Sequence, residues 1–418
     1  METVMAVNLR KGAFLMAALA LVASCGGAPM SQPSSTAPAP APVVQATPAQ
    51  TAAFREWTAG FRPRALNAGI SAATFDRAFA NADYRPDVID SQRNQPEFSR
   101  TLRQYLGNAV TDTRIAEGQR MLSQYAGLLS EIEARYNVDR EVVVAIWGLE
   151  SQYGARRGTI PTVDALATLA MAGSRSSFFA EQLVAALRIL QNGDVTPERM
   201  TGSWAGAMGH TQFIPTSYQS LAADFRGDGR RDIWSDDPTD ALASTARYLQ
   251  NSGWQRGRPW GIEVRVPDGA STGGSASPDA WAARGIVAAD GRSIPNYGSA
   301  EILRPDGASG PAFMIFRNAE AIRRYNNAAA YVVAVGYLSD RLKGGAPFQT
   351  VWPAGERALT EPERMEIQRR LASAGYYSDE IDGRLGPATL AAIRAWQQAN
   401  GQTVTGDPSL ALLRALGG

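Results

Sequence analysis

The chain has 418 residues, enough for two or three domains of roughly 100 to 200 residues each. Its 41 Lys and Arg balance 40 Asp and Glu, which argues against nucleic acid as the main partner and suits a neutral sugar polymer better. A single histidine and a single cysteine exclude His-based triads, multi-histidine metal sites and intramolecular disulfides within one chain.

The N-terminus has the charge order and length of a secretory signal. Arg10 and Lys11 precede an apolar run from Ala13 to Ala23, which is too short for a membrane span. We therefore predict a cleaved signal over residues 1–24. The run closes with Leu21-Val22-Ala23-Ser24-Cys25, which resembles a bacterial lipobox. In such proteins the cysteine is acylated and holds the mature chain on a membrane.

An ordinary signal with a chance cysteine is the alternative to lipidation at Cys25. No Asp directly follows Cys25, so the analogy with lipoprotein sorting predicts a periplasmic protein that is lipid-anchored to the outer membrane. Residues 25–50 are rich in Pro, Ala, Ser, Thr and Gln and have few large apolar side chains to offset the entropy of ordering. We expect this segment to be an extended tether.

Residues 51–345 are predicted to form one mainly helical domain. Apolar residues recur at helical spacing in segments such as 180–190 and 240–249. The stretch Gly261–Pro311 lacks this helical spacing and has clustered Gly, Pro, Asp and Ser around short apolar runs. We therefore expect short strands or a long loop insertion there. The breaker Gly344–Pro347 marks the domain boundary. The fold class is mainly α (α+β), with a small β or loop insertion in the helical domain.

Residues 358–418 are predicted to form a separate unit of three short helices. Thr360 and Glu363 have the spacing of a capping box at the start of the first helix. Pro387 is placed to begin the second helix. The apolar positions of the second and third helices are Leu390, Ile393 and Trp396, followed by Leu410, Leu413 and Leu416.

Residues 138–154 form the most informative predicted helix. Asp139 is placed to cap its start and Gly154 to end it. Glu150 falls on the same helical row as Val143 and Trp147, so we expect it on the core side. A carboxyl group there loses hydration, which raises its pKa toward the range useful for proton donation near neutral pH. The alternative is a solvated or ion-paired glutamate.

A glycine-rich block runs from Gly202 to Tyr218. Its glycines, Gly202, Gly206 and Gly209, would let the backbone approach a flat sugar ring, while Ser203 and Gln212 offer hydroxyl and amide groups. Trp204 and Tyr218 are expected to supply stacking faces or core volume. The alternative interpretation is a tight turn that packs helices together.

Four blocks of the chain together resemble the membrane-bound lytic murein transglycosylase B family. These blocks are Gly148–Gly154, Pro161–Leu169, Gly202–Tyr218 and Arg324–Asn327. The resemblance implies a lysozyme-like catalytic domain in which Glu150 is the single acid and base. It also implies that the groove around the scissile bond is lined by Ser203, Gln212, Tyr325 and Asn326, with Tyr331 as a weaker candidate.

The family's mechanism, carried over to this chain, uses one carboxyl group twice. Glu150 would protonate the glycosidic oxygen between N-acetylmuramic acid (MurNAc) and N-acetylglucosamine (GlcNAc), then accept the proton of the muramoyl C6 hydroxyl as a 1,6-anhydro ring closes. No water is consumed, so no second carboxylate is required. Two alternatives stay open: a hydrolytic muramidase of the same fold, and a non-catalytic peptidoglycan-binding lipoprotein.

The C-terminal unit resembles the peptidoglycan-binding module PG_binding_1, with an unrelated small helical bundle as the alternative. The matching segments are Ile367–Leu371, Gly375–Tyr377, Ile381–Thr389 and Ala395–Gln398. We therefore expect peptidoglycan glycan strands as the partner of a monomeric enzyme that also meets a membrane through the lipid on Cys25.

An acidic loop, Asp224–Asp232, is spaced like a calcium-binding loop but does not match it fully. Arg226 stands at its third position and Ser235 at its twelfth, where acidic ligands are wanted. We interpret it as a structural turn and expect no metal and no cofactor. His210, the sole histidine, is expected to pack or tune the groove.

Overall fold

The computed structural model describes residues 45–93, 101–307, 310–350 and 359–417, except 384, 386, 403, 405 and 407. The signal over 1–24, Cys25 and the tether up to residue 44 lie outside the described residues. The helices before residue 350 are α1 (Pro48–Asn67), α2 (Ala72–Phe79), α3 (Pro86–Arg93), α4 (Leu102–Ala109), α5 (Asp112–Gln124), α6 (Ala126–Tyr136), α7 (Arg140–Ser151), α8 (Thr162–Ala172), α9 (Ser176–Asn192), α10 (Pro215–Leu221), α11 (Thr239–Asn251), α12 (Pro278–Ala282), α13 (Arg317–Tyr325) and α14 (Ala329–Leu342). Among the described residues, every helix is too short or too polar to cross a lipid bilayer.

The first helix begins earlier than the composition of the chain predicts. Thr47 accepts a hydrogen bond from the Gln50 backbone amide, and the Gln50 side chain accepts one from the Thr47 amide. This capping box starts α1 at Pro48, so the helix begins inside the segment assigned to the tether. A local cap outweighs the tether-like composition there.

The helical body contains two apolar cores. In one, α7 packs against α5, α6, α11 and α14, and every residue of α7 from Val142 to Ser151 is buried. In the other, α8 and α9 pack together with α1, α2, α3 and α10. Tyr325, at the end of α13, packs against both cores.

Two small sheets accompany the helices. Strands β1 (Ile160–Pro161) and β2 (Thr201–Gly202) pair antiparallel. The other five strands form an antiparallel sheet in the order β4-β6-β7-β3-β5, with its own core around the fully buried Trp281. This sheet confirms the predicted insertion, although its last strand lies wholly after Pro311. Its strands are β3 (Gly261–Arg265), β4 (Ser275–Ala276), β5 (Val287–Ala288), β6 (Ala300–Leu303) and β7 (Ala312–Ile315).

The C-terminal unit contains α15 (Glu361–Ser373), α16 (Pro387–Ala399) and α17 (Leu410–Ala415). The predicted capping box is present, because a carboxylate oxygen of Glu363 accepts a hydrogen bond from the Thr360 amide at 2.7 Å. The core of this unit includes Ile367, Leu371, Ile393, Trp396 and Leu412. This arrangement confirms three short helices around one small apolar centre.

The predicted ends of the central helix α7 need correction. Asp139 occupies the N-cap position but its side chain makes no capping hydrogen bond. Its carboxylate instead accepts from the Trp254 indole at 2.8 Å and the Gly257 amide at 3.1 Å. The helix ends at Ser151, before Gly154, because Gln152 already adopts a left-handed conformation with φ of 51°.

Candidate active site

Glu150 lies in the last turn of α7 with only 6% of its surface exposed. The hydroxyl of Tyr331, a fully enclosed residue of α14, donates a hydrogen bond to its Oε1 atom at 2.6 Å. The core-side position predicted for Glu150 is confirmed. The sequence ranked Tyr331 as the weakest groove candidate, yet its hydroxyl contacts the carboxyl group directly.

Tyr325 and Tyr331 remain protonated across the physiological pH range. Burial raises the pKa of each phenol well above its ordinary value, and the negative charge of Glu150 raises both pKa values further. The Tyr325 hydroxyl donates to the Thr211 carbonyl oxygen at 2.6 Å. Both phenols therefore act as hydrogen-bond donors beside the carboxyl group.

The chain leaves α7 through three consecutive left-handed residues, Gln152, Tyr153 and Gly154, with φ values of 51°, 56° and 88°. Non-glycine residues adopt this conformation uncommonly. The turn folds the Tyr153 ring back over Gly148, where an added Cβ would lie 2.6 Å from the ring. The Tyr153 hydroxyl donates to the Arg114 carbonyl oxygen at 2.8 Å. These contacts fix the backbone immediately after Glu150.

The glycines of the block 202–218 do not face an open groove as predicted. An added Cβ would lie 2.2 Å from the Ala207 oxygen at Gly202, 2.5 Å from the Leu166 side chain at Gly206 and 2.3 Å from the Ile233 oxygen at Gly209. The close approaches are made by the protein itself, so the tight-turn alternative is correct for these glycines. Tyr218 is likewise a core residue rather than a stacking face. Its hydroxyl donates to the Arg231 carbonyl oxygen.

Ser203 and Gln212 hold the block in shape. The Ser203 hydroxyl accepts from the Ala207 amide at 3.1 Å. The Gln212 side-chain amide donates to the carbonyl oxygens of Arg157 and Gly209, each at 2.9 Å. Both side chains are largely buried, so at least one polar atom of each is engaged within the protein.

Asn326 is fully buried, and its side-chain oxygen accepts from the Ala328 amide at 3.1 Å. This bond orders the turn between α13 and α14, and it links the position of Tyr325 to that of Tyr331. Residues 325 and 326 thus stand at the point where the two cores and the helix bearing Tyr331 meet.

Two residues with clear roles were missed from the sequence. Tyr248 of α11 packs its ring 4.8 Å from that of Tyr325 and donates to the Arg324 carbonyl oxygen. The sequence placed it only within the helically spaced segment 240–249. Gly158 has φ of 87°, and an added Cβ would lie 2.7 Å from the Ser203 amide nitrogen. No local pattern distinguishes this glycine from a loop glycine.

The acidic loop after Asp224 is a turn held by backbone amides. The Asp224 carboxylate accepts from the amides of Gly227 and Gly229, at 2.6 and 2.9 Å. Among the described residues, the acidic cluster with ligand-like spacing is elsewhere, at Glu133, Asp139 and Glu141. Two of its three carboxylates form ion pairs with basic side chains: Glu133 with Arg140 and Arg256, and Asp139 with Lys343.

Comparison with known proteins places these residues in a family context. A model of the transglycosylase SLT domain matches residues 53–340, and one of a putative peptidoglycan binding domain matches residues 360–416. The membrane-bound lytic murein transglycosylase B of Escherichia coli is 32% identical over 241 residues, covering 56% of this chain. The matched segment spans 65% of the length of that relative.

Solved structures give a longer match. SltB3 from Pseudomonas aeruginosa, in complex with NAG-anhNAM-pentapeptide, is 46% identical with a TM-score of 0.81, over 87% of this chain and 99% of that one. The Escherichia coli lytic transglycosylase Slt35, in complex with calcium, is 27% identical with a TM-score of 0.59, over 71% of this chain and 94% of that one.

Proposed function

The chain belongs to the transglycosylase SLT domain family, and on that premise we propose that it is a lytic transglycosylase of peptidoglycan. It cleaves the MurNAc-β-1,4-GlcNAc bond and leaves 1,6-anhydro-MurNAc ends. The observation that carries this proposal is the buried carboxyl group of Glu150, hydrogen-bonded by Tyr331 at 2.6 Å. The similarity to SltB3, solved in complex with NAG-anhNAM-pentapeptide, supports it.

In the first step Glu150 acts as an acid. Because Tyr331 donates to Oε1, the transferable proton of the neutral carboxyl group belongs on Oε2. That proton passes to the glycosidic oxygen as the bond from this oxygen to the muramoyl C1 breaks. The carboxylate that forms keeps the Tyr331 hydrogen bond, which stabilises its charge in a site where water is scarce.

In the second step the same group acts as a base. The carboxylate accepts the proton of the muramoyl C6 hydroxyl, and the C6 oxygen forms a bond to C1. Glu150 is thereby returned to its neutral form, and the products together contain the atoms of the substrate. Because the nucleophile comes from the sugar, a second carboxylate that activates water is not needed.

Four further residues are proposed to line the groove: Ser203, Gln212, Tyr325 and Asn326. The hydrogen bonds of these four side chains order the segments that carry them. Tyr325 is partly exposed, which makes its ring available to a sugar. Their proposed role combines shaping the groove with contacting the acetamido and hydroxyl groups of the glycan.

The remaining segments are proposed to bring the enzyme to its substrate. Residues 358–418 bind peptidoglycan, which raises the local concentration of an insoluble polymer around the catalytic domain. Lipidation of Cys25, after removal of residues 1–24, holds the monomeric chain on the periplasmic face of the outer membrane. A Cys25→Ser chain should leave the membrane fraction of cells while retaining activity on sacculi, and continued membrane retention would contradict lipidation.

Mass spectrometry of digested sacculi tests the reaction. Incubation of purified sacculi with the chain lacking residues 1–25 should release muropeptides that end in anhydromuramic acid. Reducing ends in their place would identify a hydrolase of the same fold. The matched control is Glu150→Gln, which preserves the size of the side chain but has no proton to transfer. This variant should still sediment with sacculi while releasing no muropeptides, and unchanged release would refute the role of Glu150.

A further inference from the structure

His210 is held by two ring hydrogen bonds that together define its protonation state. The Trp147 indole Nε1 donates to Nδ1 at 3.1 Å, and Nε2 lies 2.8 Å from the Ser235 carbonyl oxygen. An indole N–H can only donate and a carbonyl oxygen can only accept. The Arg157 Nη1 atom, 3.2 Å from Nε2, donates to the same Ser235 carbonyl oxygen at 2.6 Å, so this oxygen is the shared acceptor of both groups. These contacts fit a neutral imidazole with its proton on Nε2.

The backbone of His210 joins two further segments. Its carbonyl oxygen accepts a hydrogen bond from the Ser151 hydroxyl, and its amide donates to the Ile233 carbonyl oxygen at 3.1 Å. Only 3% of the surface of His210 is exposed. At Gly154 an added Cβ would lie 2.5 Å from Nδ1, so the turn after α7 is closely fitted to the imidazole.

These contacts surround the turn that carries Glu150. Trp147 and Ser151 stand three residues before and one residue after Glu150 on α7, and Gln212 follows His210 by two residues. We propose that His210 is a positioning residue that aligns Glu150 with the Gln212 side of the groove, and that it does so only as the neutral Nε2–H tautomer. The expected effect on the reaction rate rests on the proposed function, whereas the tautomer of His210 and its contacts are independent of it.

Protonation of His210 would break this arrangement. A second proton on Nδ1 would place two N–H donors, those of the ring and of Trp147, against each other. Burial lowers the pKa of His210, and the Arg157 guanidinium 3.2 Å from Nε2 lowers it further. The hydrogen bond to the Ser235 carbonyl oxygen and the carboxylates of Asp236 and Asp232 oppose this effect without cancelling it. The ring therefore stays neutral until the pH falls below its ordinary titration range, and the alignment of Glu150 is lost there.

Because His210 is the sole histidine, its state can be read without assignment. Nitrogen-detected NMR of the ¹⁵N-histidine-labelled chain without residues 1–25 should show a single Nε2–H tautomer, titrating below pH 6.5. The same titration should appear as the acid limb of kcat for cleavage of purified soluble glycan strands. The NMR spectrum of Glu150→Gln should show the same tautomer, which separates this proposal from a failure of the proposed function.

Two substitutions test the role of the ring. In His210→Asn the side-chain oxygen takes about the place of Nδ1, so the Trp147 contact is kept, whereas His210→Phe removes both contacts. We expect kcat to fall more than about tenfold in the Phe variant and less in the Asn variant, with KM little changed in both and the acid limb displaced.

Three results would overturn the proposal. They are an Nδ1–H tautomer, titration at or above the ordinary histidine value, and a His210→Asn chain whose pH profile matches that of the unaltered chain. The Asn variant keeps the test decisive if the Phe variant fails to fold.

Discussion

The substitution Tyr331→Phe removes the phenol hydroxyl that donates a hydrogen bond to the Glu150 carboxyl group. That hydroxyl donates to Glu150 Oε1 at 2.6 Å and is fully buried, so water does not replace it easily. A hydrogen bond to a charged group contributes about 1.5–3 kcal/mol. At 1.36 kcal/mol per pKa unit, its loss should raise the pKa of Glu150 by about 1–2 units.

The expected changes in rate and stability follow from which protonation state of Glu150 the Tyr331 hydrogen bond stabilises. Tyr331 stabilises the carboxylate, so the Phe variant has a weaker acid, and kcat should fall about 10- to 100-fold. The alkaline limb of the rate profile, where Glu150 loses its proton, should move up by about 1–2 pH units. Loss of the bond destabilises the ionised form of the folded chain more than its neutral form. The loss in free energy of unfolding should thus be small at pH 4 and should grow as the pH rises through the folded-state pKa.

The assay is a double-mutant cycle. Denaturant unfolding is measured at pH 4 and pH 8 for the original chain, Tyr331→Phe, Glu150→Gln and the double variant, together with the pH dependence of kcat for the active chains. Tyr337→Phe, on the same helix but stacked on Phe348, is the matched control and should not move the alkaline limb. An equal stability loss with and without the Glu150 charge, or an unmoved alkaline limb, would refute the reasoning.

Three further predictions concern the scaffold. Gly148→Ala should lower the free energy of unfolding by about 1–3 kcal/mol, because the new Cβ would lie 2.6 Å from the Tyr153 ring; Gly107→Ala, at an open helical position, should be neutral or stabilising in the same denaturation assay. Burial raises the pKa of Asp164 to about 6, so the stability that its protonated form contributes is fully present below about pH 4 and is lost as the pH rises through 6. Asp164→Asn should flatten the pH dependence of the free energy of unfolding between these pH values. An unchanged slope would contradict this prediction. The backbone amides of residues 349 and 350 donate hydrogen bonds to the Glu263 carboxylate, so Glu263→Ala should speed hydrogen exchange at these two amides, as measured by NMR. An unchanged exchange rate would show that other contacts hold residues 349 and 350.

Local sequence signals predicted the features that depend on local contacts. Helical spacing placed Glu150 on a buried face, and the residues of the capping box placed the start of α15 at Thr360 and Glu363. Clustered glycine and proline residues indicated the region of the insertion, which holds four of its five strands, whereas β7 follows it. Each of these features is decided by residues within about a turn of one another.

The failures have a common physical origin in partners that are distant along the chain. Asp139 satisfies the local rule for a cap, yet its carboxylate binds the Trp254 indole, 115 positions away. Tyr331 contacts Glu150 across 181 positions. The role of Gly202 is likewise set in part by Gly158, which precedes the block and approaches Gly202 only once the chain has folded. Spacing along one helix carries no information about such neighbours.

A single carboxyl group that serves as acid and then base needs opposing influences on its pKa. Burial alone would keep Glu150 protonated but would make the carboxylate costly to form. A donor alone, in a solvated setting, would favour the carboxylate and leave no proton to give. The enclosed last turn of α7 provides the first influence and Tyr331 the second, with the phenol kept protonated because its own pKa is raised. Burial paired with a donor that does not titrate therefore suits the proposed two-step proton transfer through Glu150.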